Sequence, residues 1–297
     1  MSHQAGSGDV GQGYREADAE LAELERRYGL RFSAKVVDVF GGHALLEHTP
    51  DVVLNTASVG KVFLLHRLLT EVDEGSRSLE ERVTRRPSEL FDNSGLWYLL
   101  QQDTLSLYDV AALVGAYSDN TATNTLARVV GLDVVQEHTR ALGYVDSALD
   151  DCVRWPMPPG APTSLSHGSA DELSDFCARL ARREGLSSAS VDVLTRWLGA
   201  GADLSMVASA FGLDPLAHAL FDRDLWVWNK TGTINSVRAD IGVAMNHERA
   251  LSYAVLAQWP SALNGSGPEA RPGVRDDVLA AMARVGAAMR ADLEAAA

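Results

Sequence analysis

Lysine is the scarce residue of this sequence: of 26 basic residues only three are lysines, Lys35, Lys61 and Lys230, and arginine supplies the rest. A guanidinium stays charged at any working pH, whereas a buried lysine can lose its proton and act as a base. An arginine-biased composition accounts for the scarcity but not for the placement of Lys61 and Lys230 inside short polar motifs. Cysteine is nearly absent too. Cys152 and Cys177 are the whole complement, too few for a disulfide framework, and a cytosolic pair is expected to stay reduced. No apolar run approaches the ~18 residues of a membrane-spanning helix. Residues 1–13, rich in Gly, Ser and Gln, lack the basic start and apolar centre of a signal peptide. A cytoplasmic location is the expectation, although a chain whose leader had been removed would look the same.

The formal charge is −14 and no Lys/Arg-rich block interrupts it, so neither nucleic acid nor an anionic membrane is an expected partner. The eight histidines show no H-x-H or H-E-x-x-H spacing, and neither a metal nor any other cofactor is expected. At 297 residues, with 46% apolar and 22% charged, the chain has ample material for a folded core.

Periodicity divides the chain. Residues 14–28 carry Leu21, Leu24 and Tyr28 at helical spacing and stop at Gly29. Two β-type runs follow, split by Phe40-Gly41-Gly42, which marks a hairpin. From Ser58 the pattern is mainly helical to about Phe221. Strand signal returns at 225–233, 237–245 and 251–259, and an Ala-rich helix closes the chain. Segregated strands and helices predict an α+β fold, with an antiparallel sheet flanked by terminal helices and an inserted all-helical lobe. The expected division is a flexible tail (1–13), an α/β lobe (14–56 and 224–297) and an all-helical lobe (57–223).

Three motifs carry chemistry. Ser58-Val59-Gly60-Lys61 places a serine at the expected start of a helix with a lysine one turn on, so the i,i+3 geometry brings the amine to the serine's face. A partly desolvated amine near a second cation can be neutral and take the serine proton. Ser118-Asp119-Asn120 opens a helical segment: Ser118 can shuttle a proton, Asn120 can hold a substrate amide and Lys61 together, and Asp119 suits an N-cap. Lys230-Thr231-Gly232-Thr233 lies on a strand, where Lys230 supplies positive charge, Thr231 a hydroxyl and Gly232 close approach to the backbone. The main-chain N–H groups of Thr233 and Ser58 are suited to an oxyanion hole. Three unrelated caps and turns are the alternative reading of this set.

On these motifs the chain resembles the penicillin-recognising serine hydrolases, above all the class A β-lactamases, over residues 14–295. Asn93-Ser94-Gly95 and Asn229-Lys230-Thr231-Gly232 support the resemblance. It implies a β-lactamase or transpeptidase-like fold, with Ser58, Lys61, Ser118 and Lys230 catalytic and Asn120, Thr231, Gly232 and Thr233 binding substrate. It also implies a carboxylate-binding role for Arg238, eight residues after Lys230. Trp97, with Trp226 and Trp228, is a candidate lining for an apolar acyl pocket; packing is the competing role for each.

One departure matters. Class A enzymes carry a glutamate directly after an Arg-Trp pair, and it activates the deacylating water. Here Arg154-Trp155 is followed by Pro156, and no acidic residue occurs between Asp151 and Asp171. His167 is a candidate substitute base. The expectation is therefore a serine acyl-enzyme hydrolase or acyltransferase acting on a small amide, ester or lactam, slow in β-lactam deacylation, with an amine or alcohol as a candidate acceptor. Alternatives are a β-lactamase with a non-standard deacylating base and a catalytically impaired binding member of the fold.

Overall fold

The computed structural model describes residues 7–154, 160, 162, 164–214 and 224–296. Helix α1 (Ser7–Tyr28) is followed by β1 (Arg31–Asp38) and β2 (Ala44–His48), then by the short strand β3 (Leu54–Asn55). The intervening region holds α2 (Lys61–Asp73), β4 (Arg82–Thr84), β5 (Thr104–Ser106), α3 (Leu107–Tyr117), α4 (Asn120–Val130), α5 (Leu132–Ala141), β6 (Ala148–Leu149), β7 (Ser166–Gly168), α6 (Ala170–Ala181) and α7 (Ser188–Gly199). The chain ends with β8 (Trp226–Ile234), β9 (Val237–Met245), β10 (Ala250–Gln258) and α8 (Val274–Ala295).

The main sheet has the order β2-β1-β10-β9-β8 with antiparallel neighbours, so strands from both chain ends share one sheet. Its inner strands β9 and β10 are buried along almost their whole length, which is why residues 241–245 and 253–257 read as continuous apolar stretches and not as alternation. One face carries an apolar cluster built on Phe32, Val36, Tyr253 and Val255 with Leu21 of α1 and Val278 and Met282 of α8. The other face contributes Trp228, Ile241, Val243 and Leu256 to a cluster that continues into α2, α3 and α6 through Phe63, Leu65, Val110 and Phe176. The fold is α+β, as the segregation of strands and helices predicts. Helix α1 begins at Ser7, within the expected tail, and small strands punctuate the predominantly helical region. Both cysteines are free, and among the described residues no helix is long and apolar enough to cross a membrane.

The edge strand β8 positions the site. The turn carrying Ser58 packs against it so closely that a Cβ on Gly232 would lie 2.0 Å from the Thr56 carbonyl oxygen and 3.1 Å from Ser58 N. Glycine is needed there because protein backbone, and not a substrate, occupies the space. That corrects the substrate-approach role expected for Gly232.

Candidate active site

Ser58 does not lie within helix α2. It sits in a tight turn, with Val59 N–H bonded to Thr56 O and Lys61 N–H to Ser58 O at 3.4 Å, and the regular helix begins only at Lys61. Ala57, just before it, has a φ of 51°, a conformation disfavoured for a residue with a side chain. Ser58 is thereby half-exposed at the mouth of two cavities. One, of about 330 Å³, is bounded by Ser118, Lys230, Thr231 and Asp203; the other, of about 280 Å³, is bounded by Asn93, Asn120, Asp151 and Arg154. Ser58, Ser94 and Thr233 border both.

Lys61 is fully buried. Its Nζ lies 2.7 Å from the Ser118 carbonyl oxygen, 2.8 Å from Asn120 Oδ1 and 3.2 Å from Ser118 Oγ. Burial pushes its ammonium well below the ordinary lysine range, the Lys230 charge pushes the same way, and Asp119 opposes them. This contact set suits a neutral amine. Two N–H groups donate to the two carbonyl oxygens, and the lone pair accepts from the Ser118 hydroxyl. The same set can also hold an ammonium as three donors, so a proton can come and go without rearrangement.

The local sequence explains this placement. Ser118 ends α3 in the left-handed region, with φ 53°, and turns the chain so that Asp119 can cap α4. Asp119 Oδ1 accepts from Ala122 N–H at 2.8 Å, and Oδ2 accepts from Leu96 and Trp97 N–H at 2.7 Å each. Asp119 is a buried structural carboxylate that ties the 94–97 loop to the helix start. Gly95, at φ +103°, is required because a Cβ would stand 2.3 Å from the Asp119 carboxylate. Asn120 Nδ2 donates to Asn93 Oδ1 at 2.6 Å, which fixes its amide with the oxygen toward Lys61.

Lys230 is buried on β8 and donates to the Thr231 carbonyl at 2.8 Å. Burial lowers its pKa to about 8, against the attraction of Asp203 and Asp240. Thr231 is buried and Thr233 exposed, and both border the first cavity.

Three expectations from the sequence change. Trp97 is wholly buried: its indole N–H donates to Gln102 O at 2.8 Å and Arg85 lies over its ring. It belongs to the core under the 94–97 loop and lines neither cavity. Arg238 stands opposite Thr233, but its guanidinium folds back to donate to the Ile234 and Val237 carbonyls at 2.7 Å each and lies over Trp259. It is held by the β8–β9 turn and is outside the walls of both cavities. His167, on β7, pairs with Asp150 at 2.8 Å, a bond that raises its pKa, but it is outside the walls of both cavities and so is not placed to activate water beside Ser58.

Trp228 is buried in the core and Trp226 is partly exposed. Trp155 and Pro156 lie outside the described residues. Two carboxylates that no motif flagged stand in the cavity walls. Asp151 is buried, accepts from Cys152 N–H at 2.7 Å and pairs with Arg154. Asp203 borders the Lys230 side.

The profile of the beta-lactamase enzyme family matches residues 16–289. Beta-lactamase CTX-M-8 of Citrobacter amalonaticus is 27% identical over 136 residues, 46% of this chain, and the match spans just under half (46%) of that protein's own length. Among solved structures, the beta-lactamase from Sphaerobacter thermophilus is similar at a TM-score of 0.77 and 24% identity, over 95% of this chain and 97% of that one. A mutant of PBP-A, solved as an acyl-enzyme complex with penicillin G, is similar at 0.73 and 20% identity, over 98% and 99%. At these identities the structural likeness speaks to the fold.

Proposed function

The chain belongs to the beta-lactamase enzyme family, a family of serine hydrolases, and from that premise we propose that it works through an acyl-enzyme on Ser58 and acts on an amide, ester or lactam. The observation that carries the reading is the buried Lys61 amine, held between Ser118 and Asn120 with its ammonium form destabilised. Ser58 Oγ attacks the carbonyl carbon and its proton passes to Lys61. The C–N or C–O bond then breaks, and Ser118 relays the proton from Lys61 to the departing atom. The N–H groups of Ser58 and Thr233 are assigned to the oxyanion, and Lys230 stabilises negative charge on the departing side. Hydrolysis replaces the departing group with water; transfer replaces it with an amine or alcohol.

Slow deacylation of β-lactams belongs to the same proposal. Asp151 favours a second reading, a β-lactamase with an unusual base, because it is the one carboxylate among the described residues bordering the cavity beside Ser58 and Asn120. Its engagement by Arg154 and Cys152 N–H weighs against it.

The pH dependence of acylation tests the assignment. The reaction needs Lys61 neutral and Lys230 charged. As pH rises, the rate climbs as Lys61 loses its proton below the ordinary lysine range. It then falls as Lys230 deprotonates around pH 8. The kcat/KM for adduct formation with a penicillin, followed by intact-protein mass, should be bell-shaped, and Lys230→Arg should remove the alkaline limb. A rate that only rises through pH 10, or no adduct at any pH, contradicts the proposal.

A further inference from the structure

The cavity on the Lys230 side has a charge balance that the motifs do not announce. Its walls bring together Ser118, Lys230, Thr231 and Thr233 with Asp203, which follows α7 in sequence and faces β8. Arg238, expected to add a second positive charge for a substrate carboxylate, is turned onto the β8–β9 carbonyls instead. Lys230 therefore faces Asp203 in a cavity that holds one cation and one anion among the described residues. A cavity meant for a bare carboxylate would be weakened by an acid in its wall, since like charges in a partly desolvated space repel.

The Asp203 carboxylate is half committed. Oδ1 accepts both hydrogen bonds from Ser205, from the backbone N–H at 3.1 Å and from the hydroxyl at 2.6 Å. Oδ2 has no hydrogen-bond partner among the described residues. The two bonds from Ser205 fix the carboxylate's orientation and leave one oxygen available.

We infer that Asp203 is a specificity-determining residue that selects substrates whose departing portion carries a cationic group as well as a carboxylate, the carboxylate meeting Lys230, Thr231 and Thr233 and the cation meeting Asp203 Oδ2. This rests on the reading of Ser58 as nucleophile, because that reading makes the Lys230 cavity the departing side. The ligand class is a zwitterionic fragment, such as an amino-acid-like group with a free ammonium or a ring system bearing both charges. An acceptor entering from the same side would carry the same signature.

The test uses two cephalosporins with an identical thienylacetamido side chain and ring carboxylate. One bears a neutral acetoxymethyl group at ring position 3, the other a cationic pyridiniummethyl group. The acylation rate constant over KM is measured for each by intact-protein mass, with the unaltered chain, Asp203→Asn and Asp203→Glu. Intrinsic reactivities of the two compounds cancel when their ratio is compared between proteins. Asn retains the acceptor for Ser205, so the turn is kept while the charge is lost. The cationic-to-neutral ratio should fall about two- to fivefold in Asp203→Asn, in the range of a partly exposed charge pair, and stay close to that of the unaltered chain in Asp203→Glu. An unchanged ratio in Asp203→Asn, with both compounds still acylating Ser58, overturns the role of Asp203 alone. Absence of any adduct in the unaltered chain overturns the Ser58 reading and this inference with it.

Discussion

Replacing Lys61 by arginine should lower acylation by roughly 10²–10⁴-fold, close to the loss caused by Lys61→Ala, because a general base is removed in both cases. The first variant carries a fixed positive charge and the second none, so equality of the two effects is the informative result. The site explains why. Lys61 Nζ meets two carbonyl oxygens and a hydroxyl in a space without solvent, and a guanidinium has neither a lone pair to offer nor room for its planar fork. Lys230→Arg should behave differently and retain a measurable fraction of activity, since Lys230 contributes positive charge and not proton transfer. Single-turnover acylation by a penicillin measures all three variants. Equal tolerance of arginine at both positions would show that Lys61 is not a base.

The second large effect is a lifetime. With no acidic residue between Asp151 and Asp171, and with His167 paired to Asp150 outside the walls of both cavities, water beside the acyl-enzyme lacks an evident activator. The penicillin adduct should persist roughly 10²–10⁴ times longer than one deacylated with the help of a general base. An added amine should shorten the lifetime in proportion to its concentration if transfer is the natural outcome. Pro156→Glu, at the place where class A enzymes carry their glutamate, should shorten it without an amine. Adduct decay by mass, with and without amine, separates these outcomes. Rapid decay in water alone would assign the work to another group, Asp151 being the candidate in the cavity wall, and would remove the main support for transfer.

The fold was legible where local pattern and tertiary demand agree. Strands β9 and β10 carry continuous apolar stretches at 241–245 and 253–257 because both faces are covered, and the sequence shows it. The pair of motif lysines was legible because lysine is otherwise nearly absent. Asp119 was readable as a cap because a short polar residue before a helix has few other uses, and it meets three backbone N–H groups.

What escaped the sequence depends on where side chains turn after the backbone is set. Trp97 lies three residues from Ser94, which borders the site, yet points into the core. Arg238 has the register of a site residue, opposite Thr233, but spends its donors on the turn carbonyls that β8 leaves open. The sequence pattern starts α2 three residues early, at Ser58, because the turn there is held by tertiary contacts, the packing of β8 and hydrogen bonds with Ser164 and Ser166, that local pattern does not encode. Asp203 and Asp151 carry no motif, and they reach the cavities only through the packing of distant segments.

The central claim is that Ser58 carries the acyl group. The most direct measurement is digestion and peptide mass mapping of the protein after reaction with a penicillin, beside Ser58→Ala treated identically. The account predicts a single penicilloyl modification on the peptide containing Ser58, at Ser58 itself, and an unmodified Ser58→Ala protein with an unchanged melting temperature. A modification on any other residue, or labelling that survives in Ser58→Ala, would contradict it.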